Sequence, residues 1–209
     1  MDIIPSDIPH SEVNKLMIGT IVPHPIAWVS TLSDAGQPNL APFSFFTAVC
    51  ANPPTVVFCP GVRGVDGGQK DTLHNIRATG EYVINFVTEP LAERMNITAT
   101  EVPAEVNEFE RAGLTATPSA VVAPPRVAES PIHFECKLRE IVVINDEPGG
   151  GSLVIGTVVH MHYDESVYRS GNYVDIEAYR AIGRLAGAGY CRVNDLFDLK
   201  RFPSEIKRG

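Results

Sequence analysis

The feature that most restricts the fold is a pair of long segments with strand character, separated by a short glycine-rich loop. The segments are residues 133–145 and 152–163, and the loop between them reads Glu-Pro-Gly-Gly-Gly over residues 147–151. Two strand patterns joined in this way predict an antiparallel hairpin. Within the first segment the apolar positions change parity between Leu138 and Ile141. Such a slip indicates a β-bulge, which is common where the sheet of a small barrel bends.

Shorter segments of strand and helix character accompany this hairpin. Residues 26–33 and 38–49 flank a turn and predict either a hairpin or a strand with a wandering return. Further strands are expected at 55–59 and 81–87, and a short strand followed by a turn at 190–197; helices are expected at 71–79 and 88–98, with a weaker one at 105–112 and a helical turn within 175–184. The proline-rich residues 118–131 predict an extended connector.

These patterns show no regular alternation of parallel strands and helices. The expected fold is therefore mainly β with helical insertions, as a β-barrel, in a single domain over residues 1–209. A chain of 209 residues with 44% hydrophobic residues is long enough to bury a core of its own.

The charge and the cysteines exclude several classes of function. The formal net charge is −8, which argues against binding to nucleic acid or to an anionic membrane, because both require a basic surface. No signal peptide and no apolar stretch of membrane-spanning length is evident, so we expect a cytoplasmic protein. The four cysteines include no C-x-x-C spacing, and we expect reduced thiols.

A glycine-rich loop at residues 61–70 leads to a candidate anion site. It is not a P-loop, because Lys70 is preceded by Gln69 and followed by Asp71. No Rossmann fingerprint follows a strand either. Lys70 and Thr72 nevertheless lie where a helix begins, and a cation, a hydroxyl and free backbone N–H groups there would suit an anion. On these residues alone a capped helix with a solvated lysine is the simpler interpretation.

His160 and His162 lie two residues apart on a strand and therefore face the same side. This geometry can bind a metal, and Asp164 and Glu165 are near in sequence. No third ligand has a distinctive spacing, so a half-exposed pair at a strand end is favoured and no metal is expected. The motif G-x-S-x-G is absent, and a hydrolase is not indicated.

Several segments together resemble the flavin reductase-like family of FMN-binding split barrels. They begin with residues 23–31, Pro-His-Pro-Ile-Ala-Trp-Val-Ser-Thr, and residues 36–46, which contain Asn-Leu-Ala-Pro-Phe-Ser-Phe-Phe. Residues 52–54, 70–76, 81–85 and 184–190 follow in the same order. The matches extend from about residue 10 to residue 202 and so cover nearly the whole chain. Each is weak alone, and their order makes them specific.

The resemblance implies an FMN site near the interface of a homodimer. It places the phosphate near Ser30, Thr31 and Leu32 and near Lys70, Asp71 and Thr72, and the isoalloxazine ring along Asn39, Ala41, Pro42 and Ser44. His24 stands where many members have arginine, which would make any phosphate contact weaker and dependent on pH. The loop from Arg63 to Asp66 is a second departure from the family pattern. Arg184, His160 and His162 are candidates for lining the open face of the flavin.

The resemblance also implies an activity, hydride transfer from NADH or NADPH to flavin, with the flavin itself supplying the redox chemistry. Reduced flavin could then pass to a partner monooxygenase. An alternative is a flavoredoxin-like FMN electron carrier that exchanges electrons with a protein redox partner and oxidises NAD(P)H inefficiently. A third interpretation is an interaction protein without flavin, built on the same barrel. No catalytic acid or base is assigned from the sequence.

Overall fold

The computed structural model describes residues 1–64 and 66–205, so Val65 in the Arg63–Asp66 loop and residues 206–209 of the expected domain lie outside it. The helices are α1 (His10–Thr20), α2 (Asp71–Thr79), α3 (Ala92–Ile97), α4 (Glu108–Arg111) and α5 (Ile176–Tyr179). The strands are β1 (Ala27–Leu32), β2 (Pro38–Phe43), β3 (Phe46–Ala51), β4 (Pro54–Phe58), β5 (Glu81–Phe86), β6 (Ala116–Thr117), β7 (Arg126–Val127), β8 (Ile132–Asn145), β9 (Gly151–Tyr163), β10 (Tyr168–Arg169), β11 (Tyr173–Val174), β12 (Ile182–Arg184) and β13 (Tyr190–Arg192).

Seven strands form one antiparallel sheet in the order β2-β1-β5-β8-β9-β4-β3. The two edge strands, β2 and β3, are consecutive in the chain and are separated by Ser44 and Phe45 alone. Because two residues cannot span a flat sheet of seven strands, the sheet must curl until its edges approach each other. The expected mainly β barrel with helical insertions is confirmed.

The β8–β9 hairpin is confirmed, and so is the bulge predicted in its first strand, where the register shifts between Leu138 and Glu140. A second shift has a consequence for chemistry. Glu135 pairs with His160, whereas the next residue, Cys136, pairs with Val158. Val159 is therefore the extra residue of a bulge, and it turns His160 to the face of the sheet that Glu135 occupies.

Two apolar clusters fill the molecule, one on each side of the sheet. The barrel interior packs side chains such as Phe58, Tyr82 and Ile84. Outside the barrel, Trp28 and Phe109 belong to a second cluster, which lies beneath α3 and α4. The Trp28 indole Nε1–H donates to Thr98 Oγ1 at 2.9 Å, so its one polar atom is satisfied.

The segment of residues 118–131 covers the outer face of β1, β5 and β8, as expected of an extended connector. Its backbone bonds to polar side chains of these strands. The Ser30 hydroxyl donates to Pro125 O at 2.5 Å, and the Asn85 Oδ1 accepts from Val127 N at 2.7 Å. These side chains stand in for a neighbouring strand and fix the connector on the sheet.

Three expectations need correction. Residues 38–49 form two strands, because the chain leaves the sheet at Ser44 and re-enters at the opposite edge. Helix α1 was not expected: its N-cap is Pro9, which makes no side-chain cap bond, and its apolar residues Val13, Leu16 and Met17 remain at least partly exposed. Thr72 does not cap α2: Lys70 occupies the N-cap position and makes no side-chain cap bond. Among the described residues, no helix has the length and hydropathy needed to cross a membrane.

Candidate functional site

A cavity of about 780 Å³ opens between α1, the end of β2 and the tip of the β8–β9 hairpin. We call it the large cavity. It brings together five residues expected at the flavin from sequence: His24, Pro42, Ser44, Lys70 and Arg184. Its other walls include Met17, Ile18, Phe43, Phe45, Cys59, Ile144, Gly149, Gly150, Gly151 and Leu185. A volume of this size, with mostly apolar walls and few polar groups, is typical of a site for a small organic molecule.

Two glycines allow the hairpin tip to form one wall of the large cavity. Gly149 has a φ of 89°, and a Cβ there would lie 2.6 Å from Cδ2 of His10 in α1. A Cβ on Gly150 would lie 2.2 Å from the carbonyl oxygen of Asn145. Only glycine therefore permits the tip to fold this tightly against α1.

A small cavity of about 40 Å³ adjoins the start of α2. It brings together the expected residues Asn39, Ala41, Lys70, Asp71 and Thr72. Lys70 lines both the small and the large cavity. The lysine thus joins a space large enough for a ring system to a narrow polar space at the N-terminus of a helix, where an anion is favoured.

The cations of the small cavity are paired with carboxylates: Asp71 was expected at the site from sequence, whereas Glu101 was not. The Lys70 ammonium forms an ion pair with Glu101, and the Arg63 guanidinium Nη2 lies 3.0 Å from Asp71 Oδ1. The hydrogen bond from Lys70 lowers the pKa of Glu101 below its usual range. Both side chains are partly exposed, so an anionic group can exchange for these carboxylates.

Below the small cavity lies a buried network of amides and hydroxyls. The Asn39 Nδ2 donates to Thr72 Oγ1 at 2.9 Å and to Thr31 Oγ1 at 3.3 Å. The Asn75 Nδ2 also donates to Thr31 Oγ1, at 3.0 Å. Asn75 belongs to the Lys-Asp-Thr-x-x-Asn segment of the family resemblance, which was the available signal for it. The network fixes Asn39 and Thr72 relative to each other.

Ser30, Thr31 and Leu32 line neither cavity. Ser30 and Thr31 are fully buried, with the Ser30 hydroxyl bonded to the connector and the Thr31 hydroxyl in the amide network. Leu32 is half-buried at the end of β1. The structure therefore gives Ser30 and Thr31 supporting contacts, with Thr31 directly beneath the small cavity.

His24 and Arg184 meet through their backbones. The His24 N–H donates to Arg184 O at 2.8 Å, and the Arg184 N–H donates back to His24 O at 2.9 Å. The His24 imidazole is buried, and its Nε2 lies 3.2 Å from Ile18 O in α1. The Arg184 guanidinium lies 5.9 Å from the centre of the Tyr190 ring. His24 thus holds α1 against the cavity, and Arg184 is the second cation on its wall.

A third cavity, which we call the apolar cavity, lies on the other side of His24 and has a volume of about 390 Å³. Its walls are almost entirely hydrocarbon and aromatic, with Phe46, Phe86 and Phe134 among them. His24 lines both this cavity and the large cavity. A ligand in the large cavity would therefore have an apolar chamber directly behind the imidazole.

His160 and His162 line none of these three cavities. They lie towards the end of β9 that is remote from the hairpin tip, on the outer face of the sheet. Burial alone would raise the pKa of Glu135, but hydrogen bonds from Ala120 N–H, His162 and Val121 N–H more than offset it and lower that pKa. The expectation that these histidines line the open face of a flavin finds no support in their position.

The seven-stranded sheet curls into a barrel, but its edge strands β2 and β3 do not pair with each other. This arrangement defines the class of split β-barrels. Residues 18–182 match the flavin reductase like domain, and the chain belongs to this family of oxidoreductases. A flavin is accordingly the cofactor that the family implies.

Three similar proteins span nearly the full chain. An uncharacterised protein of Halalkalibacterium halodurans is 39% identical, with 96% of each chain covered. Nitrilotriacetate monooxygenase component B from Bacillus cereus is 34% identical, with a TM-score of 0.90 over 95% of this chain and 98% of that one. The 2-nitrobenzoate 2-nitroreductase NbaA of Pseudomonas fluorescens is 32% identical, with a TM-score of 0.87 over 98% and 100%.

The residues present fit a flavin. A flavin mononucleotide has a flat aromatic ring system with polar atoms along one end, and a phosphate. The large cavity offers mostly apolar walls next to a lysine that also reaches the start of α2. Lys70 and Arg63 would hold the phosphate. The backbone of residues 42–44 and the side chain of Arg184 would face the ring.

Proposed function

We propose that this protein is an FMN-dependent oxidoreductase that takes hydride from NADH or NADPH. The observation that carries the proposal is the position of Lys70, which lines both the ring-sized large cavity and the small cavity at the start of α2. A ligand with an apolar ring at one end and a phosphate at the other satisfies both spaces. When bound, the flavin supplies the redox chemistry, because its ring accepts the hydride.

The chain's own residues bind and orient the cofactor. Lys70 and Arg63 neutralise the phosphate, and the Asn39–Thr72 hydrogen bond holds the two sides of the small cavity at a fixed distance. Ser44 and the backbone beside it lie along the large cavity, where N–H groups can bond to polar ring atoms. Arg184 lies on the same wall and provides a cation for an anionic nicotinamide dinucleotide.

We further propose that the protein works as a homodimer. Helix α1 buries none of its residues, and its Leu16 and Met17 are 47% and 49% exposed. Ile21, directly after the helix, is 59% exposed. Since α1 also forms a wall of the large cavity, a second copy packed on α1 would cover these apolar side chains and enclose the site.

The partner of the reduced flavin is proposed to be a monooxygenase. The support is the similarity to a protein named as a monooxygenase component, at 34% identity.

We also propose a cytoplasmic location. All four cysteines, Cys50, Cys59, Cys136 and Cys191, are free thiols, which suits a reducing compartment.

Anaerobic stopped-flow mixing of the FMN-loaded protein with NADH, and separately with NADPH, tests the reductase. Loss of the oxidised flavin absorbance on the timescale of turnover by either nucleotide is the expected result, and the faster one identifies the donor. The same reaction with Lys70→Gln tests the site, and Lys137→Gln, at an ion-paired lysine of β8 that lines none of the three cavities, is the matched control. Flavin that stays oxidised would overturn the NAD(P)H reaction and favour the FMN electron carrier.

A protein that binds no flavin at all would contradict both versions of the proposal. Purification with excess FMN, followed by desalting and an absorbance spectrum, gives this answer before any kinetics. The absence of a flavin band would favour an interaction protein on the same barrel.

A further inference from the structure

Three side chains outside the flavin site form a compact set of metal ligands. Glu135 on β8 and His160 and His162 on β9 each bring one ligand atom to within 4.8 Å of the others. The His162 Nε2 lies 2.5 Å from Glu135 Oε1 and 3.1 Å from His160 Nδ1. We propose that these residues bind one divalent transition-metal ion, Zn²⁺ or an ion of similar preference.

The distances are close to those that a metal ion imposes. Zinc binds imidazole nitrogen at about 2.0–2.1 Å and carboxylate oxygen at about 2.0–2.2 Å, so tetrahedral ligands lie roughly 3.3–3.5 Å apart. The observed separations of 2.5 and 3.1 Å need an opening of less than about 1 Å. The third pair of ligand atoms, those of Glu135 and His160, lies within 4.8 Å. Two imidazoles and one carboxylate form a donor set that suits Zn²⁺.

The carboxylate is held in place by the connector before any ion arrives. The Glu135 side chain is fully buried. Its Oε1 accepts from Ala120 N–H at 2.7 Å, and its Oε2 accepts from Val121 N–H at 2.7 Å and from Val122 N–H at 3.2 Å. Backbone donors of this kind orient a ligating carboxylate and support affinity.

The histidine side of the cluster remains open. The His162 side chain is 21% exposed, so an ion has a path from solvent and a free position for water. His133 is the strand partner of His162, and its Nδ1 has no hydrogen-bond partner among the described residues.

The expected role of the ion is structural. Glu135 belongs to β8 and bonds the connector, whereas His160 and His162 belong to β9, so the ion would cross-link the two hairpin strands beside the connector. The cluster lies about nine residues along β9 from the hairpin tip, roughly 30 Å at the rise of a strand. Metal binding and flavin binding are therefore separate properties, and either can fail without the other.

The sequence pattern shows two of the three ligands of this site. The His-x-His spacing was visible, but the carboxylate comes from the neighbouring strand through a register that includes the Val159 bulge. Asp164, which is nearer in sequence, accepts a hydrogen bond from Ser166 N–H at 2.9 Å instead of joining the cluster. The earlier expectation of no metal followed from the missing third ligand.

The test uses untagged, FMN-loaded protein that has been treated with EDTA and desalted. Zn²⁺ is titrated by calorimetry, and retained metal is measured after a second desalting step. We expect one Zn²⁺ per chain, a higher melting temperature with Zn²⁺, and slower proteolytic cleavage within residues 118–131. With Co²⁺ in place of Zn²⁺, absorption bands between roughly 500 and 650 nm would report imidazole and carboxylate ligation.

Variants separate ligation from folding. His160→Ala leaves the Glu135–His162 bond in place and should fold normally while losing roughly tenfold or more in Zn²⁺ affinity. His74→Ala removes an exposed histidine of α2 and should bind Zn²⁺ like the native chain. Failure of the native protein to retain Zn²⁺, or equal affinities in the two variants, would overturn the proposal. The flavin spectrum recorded in the same samples shows that the flavin site is intact.

Discussion

Lys70 and Glu101 form an ion pair at the junction between the large and small cavities. In the proposed site, an FMN phosphate would meet the Lys70 ammonium where the Glu101 carboxylate lies. Binding of FMN would therefore require Lys70 to exchange one anion for another. The net gain is smaller than the attraction between lysine and phosphate alone.

Substitutions at this pair should change FMN affinity in opposite directions. Glu101→Gln frees Lys70 and should tighten FMN binding severalfold, whereas Lys70→Gln should weaken it by about 1.5–3 kcal/mol, the usual contribution of a charged hydrogen bond. Quenching of flavin fluorescence on titration measures both. Glu105→Gln, on the exposed loop before α4, is the control. Equal affinities in all three variants would place the phosphate elsewhere.

Chemical labelling of Cys59 provides a second test of ligand binding in the large cavity. Its thiol lies on the cavity wall, and burial raises its pKa, so it should react slowly with iodoacetamide. Bound FMN should slow the reaction further, by covering the sulfur. Cys50 is exposed and provides an internal control whose labelling rate should not respond to FMN. Mass spectrometry of the labelled peptides follows both residues together. Unchanged labelling of Cys59 would contradict flavin binding in this cavity.

Tyr82 and Gly156 meet inside the barrel, and substitutions at these two residues should have different effects on stability. A Cβ on Gly156 would lie 1.9 Å from the Tyr82 hydroxyl oxygen, so Gly156→Ala should destabilise the fold by about 2–3 kcal/mol or more. The Tyr82 hydroxyl is buried with no hydrogen-bond partner among the described residues. Tyr82→Phe should therefore leave the free energy of unfolding unchanged or raise it by about 1 kcal/mol.

Urea denaturation compares these variants directly. The double variant Tyr82→Phe with Gly156→Ala should recover part of the loss, because it removes the atom in closest conflict. A large loss in Tyr82→Phe alone would show that the hydroxyl has a stabilising partner. Cys136 would be the residue to substitute next, since it interacts with Tyr82.

The buried carboxyl group of Glu108 should make the free energy of unfolding depend on pH. Its carboxylate is buried beneath β2 and accepts from Leu40 N–H at 3.1 Å, and burial raises its pKa. A carboxyl group whose pKa is higher in the folded state contributes stability below its unfolded pKa and loses that contribution as pH rises through the folded pKa. Glu108→Gln keeps an acceptor for Leu40 N–H and removes the titration.

The difference in unfolding free energy between Glu108→Gln and the native chain should therefore shift in favour of the variant as pH rises from about 4 to 7. The difference is the quantity to follow, because other carboxyls such as Glu135 have lowered pKa values and act in the opposite direction. Urea midpoints at several pH values measure it. A difference that is constant over this range would show that Glu108 is not perturbed.

The long β8–β9 hairpin and its first bulge could be predicted because periodicity within one segment reports both. The separation of β2 from β3 could not, because Phe43, Phe45 and Phe46 look like one apolar run. What divides them is pairing with β1 on one side and β4 on the other, a property of the whole sheet. Helix α1 was missed for a different reason: Pro9 at its N-cap gives no capping signal, and Val13, Leu16 and Met17 form only one short stripe.

The site shows the same limit. Family resemblance indicated Asn39, Ser44 and Lys70, and the structure places each on a cavity wall. Resemblance could not indicate the pairing of Lys70 with Glu101, since 31 residues separate them and only the fold brings them together. Patterns within a short stretch of sequence indicate local structure, whereas an ion pair between distant residues depends on the tertiary structure.

The two residues between β2 and β3 hold the two edges of the barrel together. Ser44 and Phe45 connect the opposite edges of the sheet, and both also lie on the wall of the large cavity. A molecule bound in the large cavity would therefore contact the connection between the two edges of the sheet. We therefore expect a ligand in the large cavity to restrict motion at this connection, and the ligand-free protein to be most mobile there.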